Sequence, residues 1–169
     1  ITNFIKQIKE RVDFYKGQNP EEIVLIGHSN GAFTSIVAGA RIPEITKIIA
    51  LCPPPDKEGS ERKWVNGVRV SKRDLPNNPN EFREFAIPYS HVKDALQYSA
   101  VEDVKKINKP IMIFIALNDT LVKHEWTEEI VSNANNPYVV RQPGMGHDFR
   151  FSQEECNIVM KEIEKFLEK

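Results

Sequence analysis

Apolar side chains follow two kinds of pattern along this chain. Ile1, Phe4, Ile5, Ile8, Val12 and Tyr15 recur at steps of three and four, which predicts a helix from about Thr2 to Lys16, stopped by Gly17 and Pro20. Other runs are short and nearly free of polar alternation: Ile23 to Ile26, Ile45 to Leu51, Ile111 to Ala116 and, less purely, Tyr138 to Arg141. Such runs predict strands covered on both faces, as in a parallel sheet. Helical segments alternate with them at Ala32 to Ala40, from His124 or Glu125 to about Val131, and from about Ser152 to Leu167. The last opens with Ser152 and Glu155 at capping-box spacing. This alternation predicts an α/β fold, a three-layer sandwich around a mostly parallel sheet.

Between residues 53 and 109 the pattern breaks. Prolines at 53, 54, 55, 76, 79 and 88, charge clusters and the scattered aromatics Trp64, Phe82, Phe85 and Tyr89 carry little periodicity. Asn66-Gly67 between partly apolar flanks is a hairpin signal, and Val92 to Tyr98 and Val101 to Ile107 read as short helices. The stretch is too short and too polar to own a core. It is expected to be a small cap-like insertion, 53–109, within a single domain spanning 1–169.

Composition narrows the setting. A chain of 169 residues has the length of one domain. Its 23 basic and 24 acidic side chains leave a net charge of −1, so neither nucleic acid nor an anionic membrane is expected as partner. The most basic stretch, Glu61 to Asp74, reads as solvated surface. Two cysteines, Cys52 and Cys156, make no disulfide framework and favour a reducing, cytoplasmic setting. No apolar run approaches the ~18 residues of a membrane span. The chain opens with Ile1 inside an amphipathic pattern, which suggests a cut or processed end.

The chemistry centres on Gly27-His28-Ser29-Asn30-Gly31, between a predicted strand and a predicted helix. Gly-x-Ser-x-Gly in that context is the layout of a nucleophile elbow, where close crossing of strand and helix requires residues without bulk. Two further loops leave strand ends and present Asp119 and His147, and the chain order Ser, Asp, His is informative. Asp148 is a poorer partner for His147, because a neighbour in sequence cannot readily reach the ring. His91 and His124 lack ligand spacing with each other or with the cysteines, so no metal site is expected, and the chemistry calls for no cofactor.

These motifs, together with Ile115-Ala116-Leu117-Asn118-Asp119-Thr120-Leu121-Val122 and Gly144-Met145-Gly146-His147, resemble the α/β-hydrolase superfamily. The insertion and the segment Ala100 to Pro110 are similar to small esterases, including feruloyl-type esterases and monoacylglycerol lipases, and also to the catalytic domains of some serine peptidases. The resemblance implies a serine hydrolase cleaving a small-molecule carboxylic ester through an acyl-enzyme; the alternatives are a serine peptidase or aminopeptidase-type hydrolase, or a non-catalytic fragment or binding member of the fold. Ser29 would be the nucleophile, His147 the base, Asp119 its orienting acid, and the backbone N–H of Asn30 an oxyanion donor. His28, Trp64, Phe82, Phe85 and Tyr89 are the candidate substrate-pocket residues, although an elbow would turn His28 away from the serine and into packing. Measured against about eight strands in that superfamily, four are expected here, which implies a C-terminal portion lacking the second oxyanion donor. Ile23 to Ile26 would then lie at a sheet edge, inviting self-association or an N-terminal segment to cover it.

Overall fold

The computed structural model of the protein describes residues 1–56, 64–75 and 78–168. Arg62 and Lys63 of the basic stretch, and Pro76, lie outside the described residues. The elements are α1 (Thr2–Lys16), β1 (Val24–His28), α2 (Asn30–Gly39), β2 (Lys47–Leu51), β3 (Val68–Leu75), β4 (Asn78–Pro88), α3 (Tyr89–Ala95), α4 (Ala100–Val104), β5 (Ile111–Ala116), α5 (His124–Asn133), β6 (Tyr138–Gln142) and α6 (Gln153–Leu167). One turn of 3₁₀ helix, Phe149–Phe151, precedes α6. Ser152 caps α6 as its spacing predicts, its hydroxyl accepting from the N–H of Glu155 at 3.2 Å.

Strands β1, β2, β5 and β6 form one sheet in the order β1-β2-β5-β6, every pair parallel. The period-2 geometry of a strand divides its side chains between two cores. Ile111, Ile113 and Ile115 of β5 join Ile48 and Ala50 of β2 beneath α1, α2, α4 and α5. Met112, Phe114 and Ala116 join Ile49 and Leu51 on the opposite face, against Val159, Ile163 and Phe166 of α6. All six residues of β5 are buried, as expected of a central parallel strand. Burial of each large side chain contributes roughly 1.5–3 kcal/mol, so the two cores dominate stability. Helix, sheet and helix thus make the three layers expected from the alternation of elements.

The structure corrects four local expectations. β1 lies at the sheet edge as expected, pairing with β2 alone, but it is not covered on both faces, since Ile26 is 51% exposed. A groove of about 1170 Å³ runs along this edge, lined in part by Phe4, Ile8, Phe14, Tyr15, Ile26 and Gly31. Second, the insertion holds a two-stranded antiparallel ribbon, β3 paired with β4, where little regular structure is expected. Val70 and Phe82 on one face are 62% and 63% exposed, while the other face half-buries Arg69 and Ser71 beside Phe85 and Ile87, so polar and apolar residues share the inner face and no clean apolar alternation marks the strands. Asn66 and Gly67, at φ 52° and 73°, make a tight turn joining Val65 to Val68 at the ribbon's foot; the ribbon's own reversal lies between β3 and β4. Third, α3 begins at Tyr89, three residues ahead of the expected start at Val92.

The fourth concerns the two glycines of the elbow. A Cβ on Gly27 would lie 2.2 Å from the carbonyl oxygen of Gly31 and 2.5 Å from Ser35 Oγ, whereas one on Gly31 would meet nothing within 4 Å. Strand–helix crossing therefore requires only Gly27; Gly31 faces the open groove. Gly27→Ala is expected to cost at least about 3 kcal/mol, while Gly31→Ala is neutral or stabilising by up to about 1 kcal/mol. Urea unfolding of the two variants measures both.

Candidate functional site

Because the sheet is parallel, the loops leaving β1, β5 and β6 emerge on one edge, the edge where open α/β sheets collect ligands. Ser29 follows β1 directly and is the N-cap of α2. Its backbone sits at φ 56°, ψ −125°, a conformation that costs a non-glycine residue on the order of 1–3 kcal/mol. Bonds on both sides hold it there: Ser29 N–H donates to Leu51 O at 2.9 Å, and Ser29 O accepts from the N–H groups of Ala32 and Phe33. A serine at this helical position commonly caps with its hydroxyl. Here the side chain makes no capping bond and reaches His147 Nε2 instead, at 3.0 Å.

The other ring nitrogen, His147 Nδ1, lies 2.6 Å from Asp119 Oδ2, with both residues buried. Asp119 divides its carboxylate between two tasks. Oδ1 accepts from the N–H groups of Leu121 and Val122 at 2.8 and 2.7 Å, and Oδ2 faces the imidazole. Burial pushes this carboxyl upward, but the bonds from His147, Val122 and Leu121 outweigh it and hold Asp119 below the ordinary value. The two loops are also joined through their backbones. Asn118 N–H donates to Met145 O at 2.9 Å, and Asn118 Oδ1 accepts from Gly144 N–H at 3.1 Å. Gly144 adopts φ 77°, a turn that frees the chain to bring His147 back over the strand ends. Asp148, the weaker alternative acid, pairs with Arg150.

Asn30 occupies the first position of α2, where a backbone N–H has no partner within the helix. His28 is turned beneath His147, its Nε2 donating to the His147 carbonyl at 3.1 Å and its ring packed 4.7 Å from that of His147 and 4.9 Å from Phe149. Burial, followed by the neighbouring charges of His147 and Arg150, lowers His28 to about 4. Trp64 and Tyr89 meet edge to face at 5.2 Å, while Phe82 projects from the ribbon. Neither these three nor Phe85 hydrogen-bonds to or stacks on Ser29, Asp119 or His147.

One neighbour escapes a sequence reading. Cys52, at φ 50° directly after β2, is buried beside the site, and burial pushes its thiol up to about 12. His28, Cys52 and His147 each offer a ligand atom, all within 4.8 Å of one another. Both nitrogens of His147 and Nε2 of His28 are engaged in hydrogen bonds within the protein.

No family model and no curated protein matches the sequence. Solved structures do. Ferulic acid-bound Est1E from Butyrivibrio proteoclasticus aligns with 97% of this chain and 66% of its own at TM-score 0.74 and 21% identity. The monoacylglycerol lipase of Paleococcus ferrophilus aligns with 97% of this chain and 74% of its own at 0.72 and 15%. MGS-MChE2, an alpha/beta hydrolase enzyme from the metagenome of sediments of the Mar Chica lagoon, Morocco, aligns with 99% and 71% at 0.68 and 19%. The protein therefore has the α/β-hydrolase fold of esterases and lipases, in partial form. Across eight such structures it spans 64–74% of their length.

The electrostatics of His28 set a pH dependence. Its value near 4 in the folded protein lies below the ordinary 6.5, so as pH falls the unfolded chain takes up a proton that the folded one refuses. Stability should be full above pH 6.5 and decline towards pH 4. That gap corresponds to roughly 3 kcal/mol at full burial, and solvent reaching part of the ring reduces it to about half. His28→Gln should flatten this part of the curve, measured by urea unfolding at pH 7, 5.5 and 4.5.

Proposed function

We propose that a protein with this α/β-hydrolase fold is a serine hydrolase that cleaves a carboxylic ester through an acyl-enzyme. The observation that supports it most is the unbroken hydrogen-bonded chain Ser29–His147–Asp119, anchored on a strained serine at a strand-to-helix turn. A free serine hydroxyl is a poor nucleophile. In this reading His147 Nε2 takes the Ser29 proton as Oγ attacks the carbonyl carbon, then returns it to the departing alkoxide. Asp119 keeps the proton on Nδ1 of the neutral ring and stabilises the imidazolium that forms. The N–H of Asn30, next to the nucleophile and at the positive end of α2, receives the negative charge of the tetrahedral intermediate. Water then repeats the sequence on the acyl-enzyme.

Within residues 53–109, the part that carries Trp64, Phe82, Phe85 and Tyr89 is assigned to a cap over this edge, with these four its aryl or acyl contacts, whereas α4 packs into the core of the sandwich. Est1E holds ferulic acid, which makes aryl esters the first substrates to try. The free thiols of Cys52 and Cys156 accord with work in a reducing, cytoplasmic compartment, and no described helix is long and apolar enough to cross a membrane.

A fluorophosphonate probe tests the nucleophile. Ser29 should be the labelled residue, Ser29→Ala should abolish labelling, and Asp119→Asn should slow ester turnover by roughly 10⁴. Folded protein that leaves Ser29 unlabelled would replace the hydrolase reading with a binding role. A panel of aryl esters against aminoacyl amides decides between esterase and peptidase.

The exposed β1 edge is assigned a covering strand, from a second copy or from residues ahead of Ile1. The unpaired strand and apolar groove support this. Light scattering on this chain should show mass rising with concentration, and Ile26→Lys, which charges the edge, should return it to a monomer. A strictly monomeric parent chain over the same range argues against pairing between copies.

A further inference from the structure

The residue before the nucleophile has a second connection to the site. Strand alternation places His28 on the same face of β1 as Val24 and Ile26, towards α6 and away from the side on which Ser29 presents its hydroxyl. The β6 loop crosses that face. Its first residue over β1 is His147, whose carbonyl accepts the bond from His28 Nε2 at 3.1 Å. The His28 ring lies between two rings of that loop, tilted 38° against His147 and edge-on at 71° to Phe149.

We propose that His28 is a positioning residue, a fixed hydrogen-bond donor that ties the backbone of His147 to the strand carrying Ser29 and so sets the distance from base to nucleophile. The proposal rests on the serine-hydrolase reading of the same site.

The reasoning is geometric. Contacts among the three residues close a ring: the peptide bond from His28 to Ser29, Ser29 Oγ to His147 Nε2, the His147 side chain back to its own backbone, and the His147 carbonyl to His28. A closed ring leaves the imidazole little room to swing away from the hydroxyl, and catalytic groups lose rate steeply with small misplacement. The base gains from such a restraint, because Gly144 and Gly146 precede it and the loop's ties to the β5 side run through Asn118, at Gly144 and Met145, and through the His147 Nδ1–Asp119 bond. Those ties orient the loop relative to β5, the acid strand. The bond from His28 registers the backbone of the base against the strand that carries the nucleophile.

Chemistry makes His28 suited to this. A carbonyl oxygen can only accept, so the bond places the proton of neutral His28 on Nε2 and defines its tautomer. The groups facing the ring are His147, Asp148, Arg150 and the protonated Cys52. Burial and the cationic neighbours keep it uncharged above about pH 4, so the donor is constant wherever His147 can serve as base. Inserting a charged imidazolium there would repel the imidazolium that forms on His147 in each acyl-transfer step.

The test compares His28→Phe, which keeps an aromatic ring and removes the donor, with His28→Gln, whose amide nitrogen can reach the position of Nε2. Aryl-ester kinetics, fluorophosphonate labelling rates and the downfield proton resonance of His147 Nδ1–H are measured on each, with circular dichroism to establish that both fold. His28→Phe should lower kcat and the labelling rate about 10- to 100-fold with KM within about twofold, and should broaden or shift the resonance. His28→Gln should recover most of the rate and the parent resonance. Parent-like rates and resonance in folded His28→Phe overturn the proposal, as does a His28→Gln loss as large as that of His28→Phe. If the parent chain neither labels nor hydrolyses esters, the serine-hydrolase reading fails on its own, and the resonance still reports whether His28 holds the ring. Should His28→Phe not fold, the ratio of His28→Gln to parent decides: a fall beyond tenfold in kcat overturns the proposal, and retention of the rate and resonance supports it.

Discussion

The approach of β1 to α2 at Gly27 is the constraint from which the site follows. With the Gly31 carbonyl and Ser35 Oγ pressed against the Cα of Gly27, strand and helix cross closely, and the chain must reverse over a single residue. That residue is Ser29, held at positive φ by bonds to β2 on one side and to the first turn of α2 on the other. The strain moves the hydroxyl away from a capping geometry and towards the loop from β6. Stability of the two cores supplies the free energy that sustains this conformation, and the hydroxyl becomes available to His147 as the consequence.

Around that turn the structure is uneven. Towards β5 the strand is buried along its whole length, and the loops carrying Asp119 and His147 are bonded to each other through Asn118 as well as through their side chains. Towards β1 the sheet ends, Ile26 is half exposed, and an apolar groove reaches Gly31. The elbow stands at the junction. Its acid and base arrive from the side of β5 and β6, while the side beyond β1 is an open groove. His28 belongs to the packed side: its ring lies with Phe149 over the α6 core, so the nucleophile strand is coupled to the base through the interior.

Much of this could be read in advance. The helix from Thr2 to Lys16 and the four strands of the sheet carry apolar patterns that follow from burial alone, because a residue facing a core must be apolar whatever its neighbours turn out to be. Strand ends then follow, and with a parallel sheet the loops bearing Ser29, Asp119 and His147 must share an edge. The β3–β4 ribbon was not legible, because its half-buried face mixes Arg69 and Ser71 with Phe85 and Ile87 while its solvated face exposes Val70 and Phe82, leaving no clean apolar alternation to read. Equal roles for Gly27 and Gly31 also do not survive, since a glycine records permission for closeness without saying whether anything comes close.

What the sequence determined by itself is the order of the sheet strands and the helices that cover them, the parallel sheet and the three residues brought to one end of it. Only the tertiary structure decided the contacts made across loops: Asp119 and not Asp148 on the imidazole, Cys52 beneath it, and His28 bonded to the carbonyl of His147. Residues 28 and 147 are more than a hundred positions apart, and no periodicity links them. Their bond depends on where a glycine-rich loop comes to rest over a neighbouring strand, which is set by packing of the whole and not by any local pattern.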